Sequence, residues 1–162
     1  MTTGPAGDGA DPEGRYREIE DRLDIQEVLY RYARMVDEKD WVQMDEIFAP
    51  DATVDYVSSG GQRGPYRETL AWLARALEPW PDNLHFISNL SIELRGDRAI
   101  ATCYFQAPMG QVDGSGRQVM VTNAGHYDDE LVRTAGGWRI ARRICRQKFM
   151  IGQLPEDYQI PE

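Results

Sequence analysis

The second half of the chain contains four segments of alternating apolar and polar residues. They run over residues 84–94, 97–109, 118–132 and 138–151, and are joined by RGD, QVDGSGR and TAGG. Alternation with period two indicates half-buried strands, and short connections rich in glycine indicate hairpins. The pattern predicts a four-stranded antiparallel meander, whose apolar face must be covered by a second layer.

Helical patterns in the first half can supply that layer. In REIEDRLDIQEVLYRYARMVDEKD one apolar stripe recurs at helical spacing: Ile25, Val28, Leu29, Tyr32, Ala33 and Val36. We then predict a short helix in WVQMDEIFAP, a strand in ATVDYVSS, a loop in GGQRGP and a third helix in YRETLAWLARALEP. The predicted fold class is α+β: a cone-shaped barrel with long N-terminal helices packed on a curved, mostly antiparallel sheet that encloses one apolar pocket.

The length of 162 residues and a hydrophobic fraction of 41% favour one domain. Residues 1–14 are rich in glycine, proline and aspartate, which predicts a disordered tail. The domain is expected over 15–151 and a C-terminal tail over 152–162. The N-terminus lacks the basic start and apolar core of a signal peptide, and no apolar run reaches the ~20 residues of a membrane span. We therefore expect a soluble, cytoplasmic protein that does not bind membranes.

The net charge of −9 argues against nucleic acid as the main partner, because phosphate backbones would be repelled. The run RIARRICRQK is a local exception. In a regular strand, the arginines at 139 and 143 share one face and those at 142 and 146 share the other. That dispersal favours an exposed or interface strand.

Metal and nucleophile motifs are absent from the sequence. Cys103 and Cys145 lie in separate apolar runs, and there is no CxxC, HxH or HExxH motif. A GxSxG elbow and a glycine-rich phosphate loop are also missing. We expect two reduced thiols, no metal and no cofactor.

Four residues are candidates for chemistry, although each alone has an ordinary structural explanation. Asp37 ends the first helix on the edge of its apolar stripe, where a carboxylate needs a partner because the helix dipole disfavours its charge. Tyr32 lies within the stripe, and Tyr56 alternates with Val54 in a predicted strand. His85, one of two histidines, begins the meander.

Taken together, YARMVDEKDW, VDYVSS and HFISN resemble the SnoaL-like branch of the nuclear-transport-factor-two-like superfamily. The resemblance is greatest to the group of scytalone dehydratase, hexachlorocyclohexane dehydrochlorinase and bile-acid dehydratase, and the ending GWRIARRICRQKFM is similar to the last strand of the family. It implies an Asp37–His85 pair, with His85 as general base and Asp37 orienting its ring. It also implies Tyr32 and Tyr56 as hydrogen-bond donors to the substrate, and a homo-oligomer, a trimer or a dimer.

Two points stay open in the sequence. Scytalone dehydratase has a second pocket histidine, but the corresponding region here reads FQAPMGQ, which leaves His126 as the other candidate. Strand parity places His126 with Met120 and Thr122, and Asn123 with Tyr127 on the opposite face. In the first meander strand, His85 shares a face with Asn89, and Phe86 lies on the more apolar one.

The resemblance implies a cofactor-free lyase, most directly a dehydratase, that acts on a hydrophobic, ring-containing small molecule. The predicted substrate-binding residues are Trp41, Phe86, Asn89, Phe105, Met120, His126 and Met150, with Phe48 and Trp72 as further candidates for the apolar walls. One alternative is an isomerase or cyclase of a polyketide or steroid-like substrate in the same pocket. Another is a non-catalytic binding subunit, such as the small subunit of a ring-hydroxylating dioxygenase.

Overall fold

The computed structural model describes residues 11–156 and 158–161. The predicted N-terminal tail falls mainly on residues 1–10, which lie outside the described residues. Its last part is helical, because the first helix already begins at Pro12. Proline suits a first helical position because its missing N–H would have no partner there.

The described residues form two helices and seven strands. They are α1 (Pro12–Asp37), β1 (Phe48–Asp55), β2 (Arg63–Pro65), α2 (Tyr66–Leu77), β3 (Asp82–Asn83), β4 (Phe86–Arg95), β5 (Arg98–Val112), β6 (Gln118–Thr134) and β7 (Gly137–Ile151). Two short 3₁₀ turns, Val42–Glu46 and Val57–Ser59, flank β1. The predicted second helix is therefore a single turn, and the strand after it starts earlier than expected.

The strands form one seven-stranded sheet in the order β2-β1-β7-β6-β5-β3, with β4 pairing beside β3 on the same edge of β5. Strands β4 to β7 pair antiparallel in succession, and among the described strands only β1 and β7 pair in parallel. The predicted antiparallel meander and the α+β class are confirmed. The curved sheet wraps around α1 and α2, so that one end of the barrel stays open.

Helix α1 is held by the stripe that its sequence predicted. Every residue of that stripe is buried, and the helix packs against β4 and β7. The helix ends in a Schellman motif: Asp40 N–H donates to Met35 O at 2.8 Å, and Lys39 N–H donates to Val36 O at 3.1 Å. Lys39 takes the left-handed conformation that this motif requires, with φ of 57°. The motif fixes the backbone at the end of α1, and with it the position of Asp37, the last helical residue.

Bulges change which residues of the strands face inward. In β4 the pairing register shifts between Ser88 and Ser91, around Asn89, whose φ is 51°. His85 and Ile87 face inward before the bulge, whereas Leu90 and the alternate residues after it face inward beyond it. Ile87 and Leu90, which strict alternation would put on opposite faces of the strand, therefore both face inward.

Within the described residues, no helix is long and apolar enough to cross a membrane.

Candidate functional site

Asp37 and His85 form a hydrogen-bonded pair at the junction of α1 and the sheet. One carboxylate oxygen of Asp37 accepts the backbone N–H of His85 at 2.9 Å, and the other lies 2.7 Å from its ring Nδ1. Both side chains are largely buried, 17% and 9% exposed. Because the carboxylate engages Nδ1, the tautomer with Nδ1–H is favoured and Nε2 is left with a lone pair.

His85 lines a cavity of about 300 Å³ at the open end of the barrel. Its walls come from α1, α2, the strands β5 to β7 and the C-terminal residues. Most of the lining is apolar and includes Trp72, Leu73, Trp80 and Phe105. A concave, mainly apolar enclosure with a few convergent polar groups is the usual form of a small-molecule site.

Two tyrosines form the polar floor of this cavity. The hydroxyls of Tyr32 and Tyr56 are hydrogen-bonded to each other, and both side chains are buried. Burial raises the pKa of Tyr32, and it raises the pKa of Tyr56 still further with the help of the adjacent Tyr32. Both hydroxyls therefore keep their protons at neutral pH and act as hydrogen-bond donors.

A buried ion pair lies beneath the tyrosines. Arg143 Nε and Nη2 donate to the two carboxylate oxygens of Asp129 at 2.8 and 2.7 Å, and both side chains are completely buried. The guanidinium carbon lies 4.1 Å from the ring centroid of Tyr32 and 4.3 Å from that of Tyr127. Burial alone would lower the pKa of Arg143, but the Asp129 carboxylate raises it well above its usual value. A fixed positive charge thus lies next to the tyrosine floor.

Asn123 supplies a second polar group on the sheet side of the cavity. Ala107 pairs with Asn123 on β6, and continuing the β3–β5 register places His85 opposite Ala107 on the other side. The histidine and the amide therefore flank a side chain that is only a methyl group. The Asn123 Oδ1 atom is buried without a hydrogen-bond partner among the described residues. A ligand that lies over Ala107 can reach both polar groups.

The family is decided by the match of residues 17–144 to the SnoaL-like domain. The chain belongs to this family. Its relatives include the uncharacterized protein Rv2910c of Mycobacterium tuberculosis, which is 38% identical over 136 residues and aligns across 82% of this chain and 91% of the relative.

Solved structures share the fold of this SnoaL-like domain. The Kfla4162 protein of Kribbella flavida superposes with a TM-score of 0.74 at 26% identity, over 82% of this chain and 94% of that one. A candidate scytalone dehydratase from Novosphingobium aromaticivorans superposes with a TM-score of 0.73 at 16% identity, over 86% and 91%. The cone-shaped fold that the sequence predicted is therefore confirmed.

Six of the eleven predicted catalytic and substrate-binding residues come together at the site. Tyr32, Tyr56, His85, Phe105 and Met150 line the cavity, and Asp37 lies directly behind His85. Of the two further wall candidates, Trp72 lines the cavity, whereas Phe48 is buried elsewhere in the core and stacks on Tyr66.

Two of the predicted binding residues of this SnoaL-like domain lie in β4, away from the cavity. Phe86 lies on the outer face of the sheet and is 55% exposed, because strand alternation points it away from its neighbour His85. Asn89 is exposed at the β4 bulge, where its left-handed backbone serves the change of register. These two residues lie outside the cavity.

Three further expected contacts also lie outside the cavity. Met120 is 59% exposed on the outer face of β6. His126 has the same parity, and its Nε2 lies 3.8 Å from Asp128 Oδ1 there. Trp41 follows the end of α1 and packs against the core. On β6 it is Asn123 and Tyr127 that face the cavity, the second of the two sets that parity allowed.

Sequence reasoning missed the buried Arg143–Asp129 pair. A regular strand would put residues 139 and 143 on one face, but the register of β7 shifts between Ile140 and Arg142. This irregularity turns Arg143 into the core while Arg139 remains half-buried. No residue of RIARRICRQK indicates the bulge, so the prediction of an exposed strand is wrong at Arg143.

Proposed function

We propose that this SnoaL-like domain is a cofactor-free hydro-lyase that removes water from a hydrophobic, ring-containing small molecule. The observation that carries the proposal is the Asp37–His85 pair, which leaves Nε2 of the histidine at an apolar cavity floored by two tyrosine hydroxyls. Elimination next to a carbonyl group needs a proton acceptor and donors to the carbonyl oxygen within one enclosed site. His85 can serve as the proton acceptor, and the hydroxyls of Tyr32 and Tyr56 can serve as the donors.

In the proposed reaction, His85 Nε2 takes a proton from the carbon next to a substrate carbonyl. The electron pair of that C–H bond moves into the carbonyl group, and the oxygen of the resulting enolate accepts a hydrogen bond from Tyr32 or Tyr56. When the enolate collapses, a carbon–carbon double bond forms and the bond to the β-hydroxyl breaks. The imidazolium returns its proton to the departing hydroxyl, so that water leaves and His85 is regenerated.

The charge arrangement beneath the floor suits this sequence of steps. Negative charge develops on the substrate oxygen, and the Arg143 guanidinium lies 4.1 Å from the ring centroid of Tyr32. Burial raises the pKa of Tyr32, and the positive charge of Arg143 partly offsets this rise. The hydroxyl is therefore a stronger hydrogen-bond donor than it would be without Arg143. Asp37 in turn stabilises the imidazolium while it carries the substrate proton. Preorganised groups of this kind lower the barrier because they need no rearrangement during the reaction.

The cavity also indicates the substrate class. Its volume of about 300 Å³ is at the lower end for small-molecule sites, and its walls are mainly aromatic and aliphatic. We propose a one- or two-ring ketone that carries a hydroxyl on the β carbon. The shared fold with a candidate scytalone dehydratase supports this type of reaction.

The proposal is tested by the mass of the product. The purified protein is incubated with a panel of one-ring and two-ring β-hydroxy ketones, and the products are separated and weighed by mass spectrometry. We expect at least one compound to yield a product lighter by one water, at a rate well above the spontaneous one. A product of unchanged mass would instead identify an isomerase or cyclase. Binding without turnover would contradict catalysis.

We further propose that the enzyme acts in the cytoplasm as a homo-oligomer, with a trimer expected. Five large apolar side chains stay exposed on the outer face of the sheet, in strands β4 to β7: Phe86, Tyr104, Met120, Phe149 and Ile151. Exposed apolar side chains that collect on one face of a sheet often mark an association surface. Light scattering should give three times the chain mass for the wild type and less for Phe149→Glu; a monomeric wild type would contradict this.

A further inference from the structure

The C-terminal segment, residues 153–156 and 158–161, packs back against the fold and lines the cavity. It follows β7 at Gly152, whose φ is 97°. A Cβ atom at this position would lie 2.4 Å from the carbonyl oxygen of Met120, so that a side chain does not fit. The glycine therefore allows a sharp change of direction, and it takes the chain back towards the mouth of the cavity.

Side chains hold this segment against α2 and the residues that follow it. Tyr158 donates from its hydroxyl to the carbonyl oxygen of Ala76 at 3.1 Å, and Trp72 Nε1 donates to the carbonyl oxygen of Pro161 at 2.8 Å. The ring of Tyr158 meets Trp80 edge to face, with centroids 5.6 Å apart. Both tryptophans line the cavity. The anchors of the segment are thus part of the site itself.

Three residues of the segment complete the cavity wall. Leu154, Tyr158 and Ile160 line the same cavity as His85. The loop that contains Gly60 packs closely against this wall, since a Cβ atom at Gly60 would lie 2.8 Å from Ile160 Cδ1. The match to the SnoaL-like domain ends at residue 144, so this wall lies beyond the part of the chain matched to the family.

We infer that the C-terminal segment determines which ring systems the site accepts, through Leu154, Tyr158 and Ile160. The inference rests on the proposed function, because it concerns the substrate of the same cavity. The histidine and tyrosines supply the chemistry at the floor, whereas the segment limits the length of the ligand at the mouth. Shortening a side chain of this wall lengthens the cavity and removes contacts from a ligand that fitted it.

The test compares two ligands that cannot be dehydrated, β-naphthol with two rings and oestradiol with four. Isothermal titration calorimetry gives their dissociation constants for the wild type, Leu154→Ala and Ile160→Ala. Because one methylene group more or less in an apolar pocket changes discrimination by about 10- to 200-fold, we expect the preference for β-naphthol over oestradiol to fall at least tenfold in each variant. Gln159→Ala, which changes an exposed side chain of the same segment, should leave the preference unchanged.

The variants are expected to fold, because Ile160 is 45% exposed and Leu154 is only half-buried. Melting curves should therefore match those of Gln159→Ala within a few degrees. An unchanged ligand preference in both Leu154→Ala and Ile160→Ala would overturn the inference, whether or not the melting temperature falls. Since neither ligand reacts, a failure of the dehydration assay leaves this outcome unaffected, and the two proposals are tested separately.

Discussion

Replacing His85 with alanine is expected to lower kcat/KM for dehydration by about a hundred- to ten-thousand-fold, the usual contribution of a positioned general base. The substitution removes the nitrogen that we propose as the proton acceptor and leaves the two tyrosine hydroxyls in place. Binding of a non-reacting ring compound should therefore change much less than turnover. Steady-state kinetics and titration with β-naphthol measure the two effects on the same protein sample.

His126→Ala is the matched control for this prediction. It removes the second histidine of the chain, which lies on the outer face of the sheet beside Asp128. We expect its kcat/KM to stay within about threefold of the wild type, because its ring does not reach the cavity. Comparable losses in the two variants would show that the cavity histidine has no special role, and near wild-type activity in His85→Ala would remove it from the mechanism.

Replacing Arg143 with methionine is expected to destabilise the protein by about 3–5 kcal/mol, because it leaves the carboxylate of Asp129 buried without its partner. Both side chains are completely buried, and Arg143 contacts the rings of Tyr32 and Tyr127. Urea denaturation of the variant measures the free energy of unfolding. The double variant Arg143→Met, Asp129→Leu should regain much of the loss, since an apolar pair of similar volume has no charge to desolvate.

A neighbouring ion pair provides the control. Arg142 donates to Glu130 at 2.8 Å on the same two strands, but both side chains are more than half exposed. We expect Arg142→Met to change the free energy of unfolding by less than about 1 kcal/mol, because water screens an exposed pair. Equal effects at 142 and 143 would mean that Arg143 is not a buried charge, and its proposed influence on the tyrosines would fall with it.

Periodicity predicted the parts of the fold that depend on one regular element. The stripe of α1 is buried as expected, and the four alternating segments form the meander. Both follow because the residues that face the core recur about once per turn of a helix and at every second position of a strand. Asp37 and His85 were found through their positions at element ends together with the family resemblance. Element ends stay in place when side-chain register changes, so the pair could be anticipated.

Strand irregularities explain two features that the sequence did not predict, the buried Arg143 and the inner face of β4. A shift of one residue reverses the faces of everything beyond it. The β7 bulge turns Arg143 inward, and the β4 bulge at Asn89 joins two faces that alternation kept apart. The role of residues 153–156 and 158–161 was missed for another reason. Their contacts with Trp72 and Ala76 join residues that are far apart in the sequence. Hydrophobic periodicity, which describes one element at a time, does not predict such contacts.

The most direct test of the proposed mechanism is a crystal structure of the protein with a two-ring ketone that lacks the β-hydroxyl. Such a ligand keeps the carbonyl group and the neighbouring carbon but cannot lose water. We predict the carbonyl oxygen within about 2.6–3.2 Å of the Tyr32 or Tyr56 hydroxyl, and the neighbouring carbon about 3–3.5 Å from His85 Nε2. A ligand bound with its carbonyl group towards Leu154 and Ile160, and only ring carbons distant from the carbonyl near His85, would contradict the mechanism.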